Sequence, residues 1–281
     1  LVGAWHGMWI AVVGVHPWIT TLSGELLFRG LAQVVLNGRS IGPYSDAFQF
    51  IATGFFPDIV QGASRHVLTI LIGIVGSLAY VAIVLTGYFR NKKRDLPTGS
   101  LGGIIAKMVL IVAFVNALCW LLSGYKGISF SMVLLVIMIL IFSFITKKSV
   151  FGRHLYAMGG NLKAARLSGI NTRKLMFIIY TISGLMATIA GISVCARLNS
   201  ASPKAGTGYE TDAIAACFLG GASISGGAGT VFGVLVGALI MGVLNNGMSL
   251  LGVSIDWQSA VKGLVVLIAV ACDMMFKNRQ R

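Results

Sequence analysis

Acidic residues are scarce in this chain. Eight Asp and Glu stand against 22 Lys and Arg in 281 residues, and charged residues of either sign amount to 11%. An ordinary soluble domain carries about a quarter charged residues, so the composition excludes one. So few carboxylates leave little for paired acid–base chemistry, and HExxH does not occur. The histidines His6, His16, His66 and His154 are scattered toward segment ends and loops. No reaction is nominated, and the chain reads as a non-enzyme. Cysteine is equally sparse: Cys119, Cys195, Cys217 and Cys272 fall singly inside apolar segments without metal-ligand spacing, the pattern of buried, reduced thiols. The glycine-rich run Gly220–Thr230 ends in Gly229-Thr230 and lacks the lysine of a nucleotide-cradling P-loop. The chain itself is therefore expected to bind no cofactor, metal or ATP.

What is present is apolar. Hydrophobic residues make up 56% of the sequence and the mean hydropathy is +0.87. Runs of about 20 residues, the length an α-helix needs to cross the hydrocarbon core, recur along almost the whole chain. They are expected at Trp18–Leu36, Val67–Tyr88, Ile104–Tyr125, Ile128–Thr146, Leu175–Ala196, Val231–Val253 and Trp257–Met275. Leu1–Val15 reads as the tail of a further span, so additional spans are expected ahead of Leu1. The expected fold is all-α, a polytopic transmembrane helical bundle forming one domain over residues 1–281. Ala213–Gly221 is too short to cross unaided and is expected to be a short or broken helix near the C-terminal third, its ends covered by protein or by a water-filled cavity. Gly233 and Gly237 have the four-residue spacing that lets helices approach closely in lipid.

The basic residues are not spread evenly. Arg90, Lys92, Lys93 and Arg94 fall in one loop; Lys147, Lys148, Arg153, Lys163, Arg166, Arg173 and Lys174 in a second; Lys277, Arg279 and Arg281 in the tail. These fourteen alternate with loops carrying Arg39, Arg65, Lys126 and Lys204 beside most of the acids. Loop charge bias of this size sets orientation, and it places the first group in the cytoplasm. The same distribution argues against nucleic-acid binding, since the charge is divided among short loops rather than gathered on one face.

The second basic loop, 147–174, contains no acid and is longer than topology alone requires. Asn161 is suited to cap a helix, Leu162–Ser168 can form two turns, and Gly169 suits the left-handed position that closes them. So short a helix is marginal alone in water and needs a partner surface. Lys163 and Arg166 lie three apart, with Leu162, Ala165 and Leu167 offering apolar contact. A solvated topogenic loop is the plainer reading, but such a loop has no need of helix start and stop signals.

The pattern Gly152-Arg153, Ala157, Gly159-Gly160-Asn161, Ala164-Ala165, Ser168-Gly169-Ile170 resembles the cytoplasmic coupling segment of bacterial sugar-importing ABC permeases of the ribose, xylose and galactose type. Further matches follow in order: Thr21-Leu22 with Phe28-Arg29-Gly30, Glu210 to Ala216 leading into Gly220 to Thr230, and Asn246-Gly247 through Trp257-Gln258 to Lys262-Gly263. The segment from Arg197 to Glu210 points toward the xylose or multiple-sugar branch. The resemblance implies a multi-pass permease of the bacterial inner membrane that forms a homodimer. It would receive a monosaccharide from a periplasmic binding protein and be driven by a separate ATPase that holds ATP and Mg. It also implies that Gly152, Arg153, Gly159, Gly160, Asn161, Lys163, Ala164, Ala165, Arg166, Ser168 and Gly169 seat against that ATPase.

For the substrate pathway the candidates are Arg29, Thr181, Ser183, Asn245 and Asn246. Arg29 lies four residues after Glu25, as an intrahelical pair would; the two asparagines could bond either a neighbouring helix or sugar hydroxyls. Arg39, Arg65 and Lys204 are candidates for docking the binding protein, with solvation as their alternative fate. The competing function is an ion-gradient-driven secondary transporter of a small polar solute, which would usually display intramembrane carboxylates. Glu25 is the main one available.

Overall fold

The computed structural model describes residues 1–58, 65–93, 100–224 and 226–278, with the side chains of 91 and 276–278 set aside. Arg94, Ser225, Arg279 and Arg281, and the side chain of Lys277, lie outside the described set. Among the described residues there are helices and two isolated β-bridges but no strand. In chain order α1 is Val2–Met8, running on as one π-helical turn Trp9–Val13, α2 is Pro17–Leu36 and α3 Asp46–Thr53. Helices α4 (Val67–Lys92), α5 (Leu101–Ser123) and α6 (Phe130–Lys148) follow, then two short helices, α7 (Val150–Gly160) and α8 (Leu162–Leu167). The chain closes with α9 (Thr172–Leu198), α10 (Tyr209–Leu219), α11 (Val231–Leu250) and α12 (Ile255–Asn278). Seven of these, α2, α4, α5, α6, α9, α11 and α12, are long and apolar enough to cross a membrane. Helix α10, at 11 residues, is not.

The boundaries follow local chemistry. Pro17, with no N–H to satisfy, opens α2, and Asn37 closes it in the left-handed region at φ 49°. Side-chain oxygens of Ser100, Asn171 and Thr230 accept the N–H groups of Gly103, Lys174 and Gly233 at the starts of α5, α9 and α11.

Internal contacts divide the chain into two compact units, Leu1–Tyr44 with Leu135–Arg281, and Ser45–Leu134. In the first, small residues set the packing. A Cβ on Gly3 would stand 2.9 Å from the Gly184 Cα, so α1 lies against α9 nearly backbone to backbone, with Gly7 one turn on against Phe177. The Gly3/Gly7 spacing is the small-residue seam that packs helices in lipid, where lipid tails are as apolar as leucine and close van der Waals contact must drive association. Helices α10 and α11 run antiparallel with Gly233 beside Gly220 and Gly237 beside Ala216, as the Gly233/Gly237 spacing predicts. Ala215, Ala216 and Met241 are the buried centre there, with Val265 and Val266 of α12 packed on them.

The second unit is organised around His66. Its Nε2 donates to the Phe56 carbonyl at 3.0 Å, since a carbonyl only accepts, and its Nδ1 lies 3.1 Å from the buried Thr69 hydroxyl. Both carboxylate oxygens of Asp58 accept N–H groups at the start of α4, from Leu68 at 3.0 Å and Val67 at 2.9 Å. Replacing Asp58 by Ala is expected to cost about 1–2 kcal/mol, the worth of a strong helix cap. Hydrogen exchange should show it as faster exchange at Val67 and Leu68, and unchanged protection there would refute the assignment. Helices α4 and α5 are tied by the Asn116 amide, which donates to Ser77 Oγ at 2.7 Å. Of the cysteines expected to be buried, Cys119, Cys195 and Cys217 are partly so, but Cys272 is exposed on α12.

Candidate functional site

Three caps in series build the segment between α6 and α9. Ser149 Oγ accepts from Gly152 N–H at 3.0 Å to start α7, Asn161 Oδ1 from Ala164 N–H at 3.0 Å to start α8, and Asn171 Oδ1 from Lys174 N–H at 3.0 Å to start α9. Helix α8 closes with Gly169 at φ 82°, its N–H on the Arg166 carbonyl and that of Ile170 on the Ala165 carbonyl, both of the turn-closing bonds of a Schellman motif. The helix ends at Leu167, with Ser168 as the cap residue. The expected span 147–174 is thus largely helical, and α7 is an addition that the glycines at 152, 159 and 160 disguise in the sequence. Gly152 is buried where the backbone doubles back: a Cβ there would strike the Thr146 and Ile145 carbonyls.

Helix α8 has two faces. Ala165 is buried, while Lys163, Ala164 and Arg166 are exposed and Leu167 is 90% exposed. Lys163 and Ala164 stand four and three residues before Leu167 and form one outward face with it. Arg166 is also a tether, its Nε donating to Thr172 Oγ1 at 3.0 Å. Of the apolar residues expected to make contact together, Ala165 faces inward and Leu167 outward.

The glycine-rich run packs directly on the end of α7. A Cβ on Gly159 would lie 2.6 Å from Gly227 N, and one on Gly227 2.9 Å from Gly160 Cα. Gly226 and Gly227 are left-handed, at φ 79° and 75°. The Tyr156 hydroxyl donates to the Gly229 carbonyl at 2.8 Å. Two motifs some seventy residues apart therefore form one backbone-to-backbone joint. On its other side Ser223 Oγ meets Asp273 Oδ2 of α12 at 3.2 Å.

At the opposite end of α10 lies a polar cluster from three helices. Lys262 Nζ is 3.0 and 3.1 Å from the two oxygens of Asp212, and the Asn245 amide donates to Asp212 Oδ2 at 2.9 Å. Asn245 is thereby bonded between helices, and its amide oxygen is buried with no partner among the described residues. The partnership of Asp212 and Lys262 is the element that the sequence left open, because 50 residues separate them.

The remaining candidates are dispersed. Arg29 pairs with Glu25 at 3.1 Å on one face of α2. Thr181 donates to the Phe177 carbonyl within α9, and Ser183 and Asn246 are exposed on their helices. Arg39 and Lys204 come from segments joined by a two-bond bridge between Ile41 and Ala201, so both cations belong to one surface. Arg65 belongs to the second unit, where its guanidinium donates to the Trp120 carbonyl at 3.1 Å and lies 3.9 Å over the Trp120 ring.

Residues 1–270 match the protein family described as branched-chain amino acid transport system, permease component. The xylose transport system permease protein XylH of Haemophilus influenzae is 40% identical over 280 residues, which is 99% of this chain and 72% of that protein. The protein of the same name from Escherichia coli K12 is 39% identical over 279 residues, covering 99% and 69% respectively. The ribose import permease protein RbsC of Escherichia coli K12 is 58% identical over 122 residues, 43% of this chain and 38% of that one. No solved structure matches.

Proposed function

From the premise that this chain belongs to the permease-component family of branched-chain amino acid transport systems, we propose that it is the transmembrane subunit of an ATP-driven monosaccharide importer. The family description and the relatives' names point to different cargo, so family alone does not choose the solute. The observation that carries the sugar reading is the match of 99% of the chain to xylose permeases.

In this reading the chain spans the bacterial inner membrane with Lys147–Lys174 in the cytoplasm, and a separate ATPase supplies ATP hydrolysis. The outward face of α8, Lys163, Ala164 and Leu167, seats in a groove of that ATPase, and the glycine joint passes its motion to the α10–α11 pair. A periplasmic binding protein delivers the sugar to a permease homodimer, with Arg39 and Lys204 meeting acidic groups on its rim. A gradient-driven mechanism is disfavoured because Glu25 and Asp212 each have a cation within 3.1 Å.

The test is uptake of labelled xylose, ribose and galactose into proteoliposomes holding the permease with its ATPase and binding protein. Uptake that needs both partners and ATP supports the proposal; uptake driven by an ion gradient without ATPase overturns it. Leu167→Asp should weaken ATPase association about ten- to hundredfold, the effect of losing about 1.5–3 kcal/mol of apolar burial, without lowering the permease's own Tm. Normal association would remove Leu167 from the interface. Arg166→Glu is expected to uncouple hydrolysis from uptake, and normal transport by that variant would count against its role.

A further inference from the structure

Helix α2 is the least apolar of the seven span-length helices, and its longer polar side chains keep to one side. Thr21, Glu25, Arg29 and Gln33 recur every fourth residue; at about 100° per residue they fall within an arc of about 120°. Glu25 and Arg29 form the pair at 3.1 Å. At about 1.5 Å per residue, Glu25 stands about 12 Å from the Pro17 end of the helix and about 17 Å from the Leu36 end, which puts the pair deep in the span.

This side is not the one by which α2 packs on α1. That contact is made one residue earlier in each turn, by Gly24 facing the His6 ring and by Phe28 meeting the Trp5 ring edge-on at 5.4 Å. The polar side is open: Thr21 and Gln33 are exposed, and the side chains of Arg29 and Glu25 keep 31% and 38% of their surface. The pair also leaves hydrogen-bonding capacity unused. Arg29 Nη1 and Glu25 Oε1 engage each other, while Arg29 Nε and Nη2, Glu25 Oε2 and the Gln33 amide have no partner among the described residues.

Hydrocarbon satisfies none of these groups, and ionisable residues inside a membrane accordingly face a bundle interior or a water-filled cavity. Asp212 and Lys262 are of the first kind, drawn from two helices and bonded by Asn245 of a third. The α2 pair comes from one helix, and no second helix bonds it among the described residues.

We propose that this side of α2 lines the water-filled route of the solute, and that Glu25 and Arg29 together form a hydroxyl-binding subsite on it. The free guanidinium N–H groups donate to one hydroxyl oxygen, and the free carboxylate oxygen accepts from a neighbouring hydroxyl. Because the pair carries no net charge, it suits a neutral polyol rather than an ion. That the polyol is a sugar rests on the function proposed above; the water-filled side does not.

Cysteine accessibility tests both statements in the permease freed of its four native cysteines. Arg29→Cys and Gln33→Cys are compared with Leu27→Cys and Leu31→Cys, which bracket position 29 in depth but lie on the far side, at 47% and 51% exposure. A charged, membrane-impermeant thiol reagent is expected to label the first two at least about tenfold faster. The thiolate is the reacting form, and each unit by which apolar surroundings raise a thiol pKa removes a factor of about ten. Excess xylose, ribose or galactose is expected to slow labelling of Gln33→Cys. The slowing should vanish in E25L/R29M, which removes the bonding atoms and keeps the site neutral. Equal rates on the two sides overturn the water-filled side. Labelling that none of the three sugars slows, or that they slow equally in E25L/R29M, overturns the subsite, as does protection by leucine in place of sugar. The rates are read without ATPase, binding protein or ion gradient, so they stand or fall apart from the ATP-driven reading.

Discussion

Lys262→Met is expected to lower stability by about 2–3 kcal/mol and to separate α10 from α12. The substitution keeps the chain length but leaves the Asp212 carboxylate with only the Asn245 amide. Removing one partner of a fully buried ion pair costs about 3–5 kcal/mol because the other charge is left uncompensated. Here the side chains of Lys262 and Asp212 keep 20% and 23% of their surface exposed, which reduces the effect. The double variant K262M/D212L removes both charges together and should recover most of the loss, since a pair replaced by apolar groups of similar volume is often neutral. Thermal unfolding in detergent reads both. A double variant no more stable than Lys262→Met would show that the helices are held by something other than this pair.

Gly159→Val is expected to cost about 3 kcal/mol of stability, the upper end for overpacking, read as a lowered Tm in detergent. The added Cβ would meet the backbone nitrogen of Gly227 at 2.6 Å, and backbone cannot turn aside as a flexible side chain can. Gly160 is the built-in control, because a Cβ there has nothing within 4 Å. Gly160→Ala should therefore leave Tm unchanged or raised, a helical glycine being about 0.5–1 kcal/mol worse than alanine. Equal destabilisation by the two substitutions would mean that the joint with Gly227 is not what requires glycine at 159.

The span-length helices were legible because hydrophobic length is a direct physical demand of the bilayer, and their ends moved by only a few residues. The expected span from Ile104 begins at Leu101, where Ser100 supplies the cap, and the span from Leu175 begins at Thr172, capped by Asn171. Helix α8 was readable from Asn161 and Gly169 because capping is local in sequence. Helix α7 was not, since three glycines depress its propensity and their reason lies elsewhere, in the Thr146 carbonyl and in Gly226 and Gly227. The Asp212–Lys262–Asn245 cluster shows the same limit. Asn245 was a candidate by itself and Lys262 part of a motif match, but only the packing of α10 against both α11 and α12 brings them to Asp212. Arg65 illustrates the reverse: counted as a surface cation, it is held by the carbonyl and ring of Trp120, a contact that no spacing rule announces.

The three caps at Ser149, Asn161 and Asn171 divide the path from α6 to α9 into short stiff rods with a joint at each cap. Bending stiffness is high along each rod and low at the joints, so a push on α8 is not absorbed by gradual flexing. Such a linkage turns a small displacement at one end into a rotation about fixed pivots, with Gly152 seated against Thr146 as the first of them. The lever arms are then set by helix length: inserting one residue into α7 would turn every later side chain by about 100° while leaving its composition almost untouched. Along this segment the number of residues between caps matters as much as which residues they are.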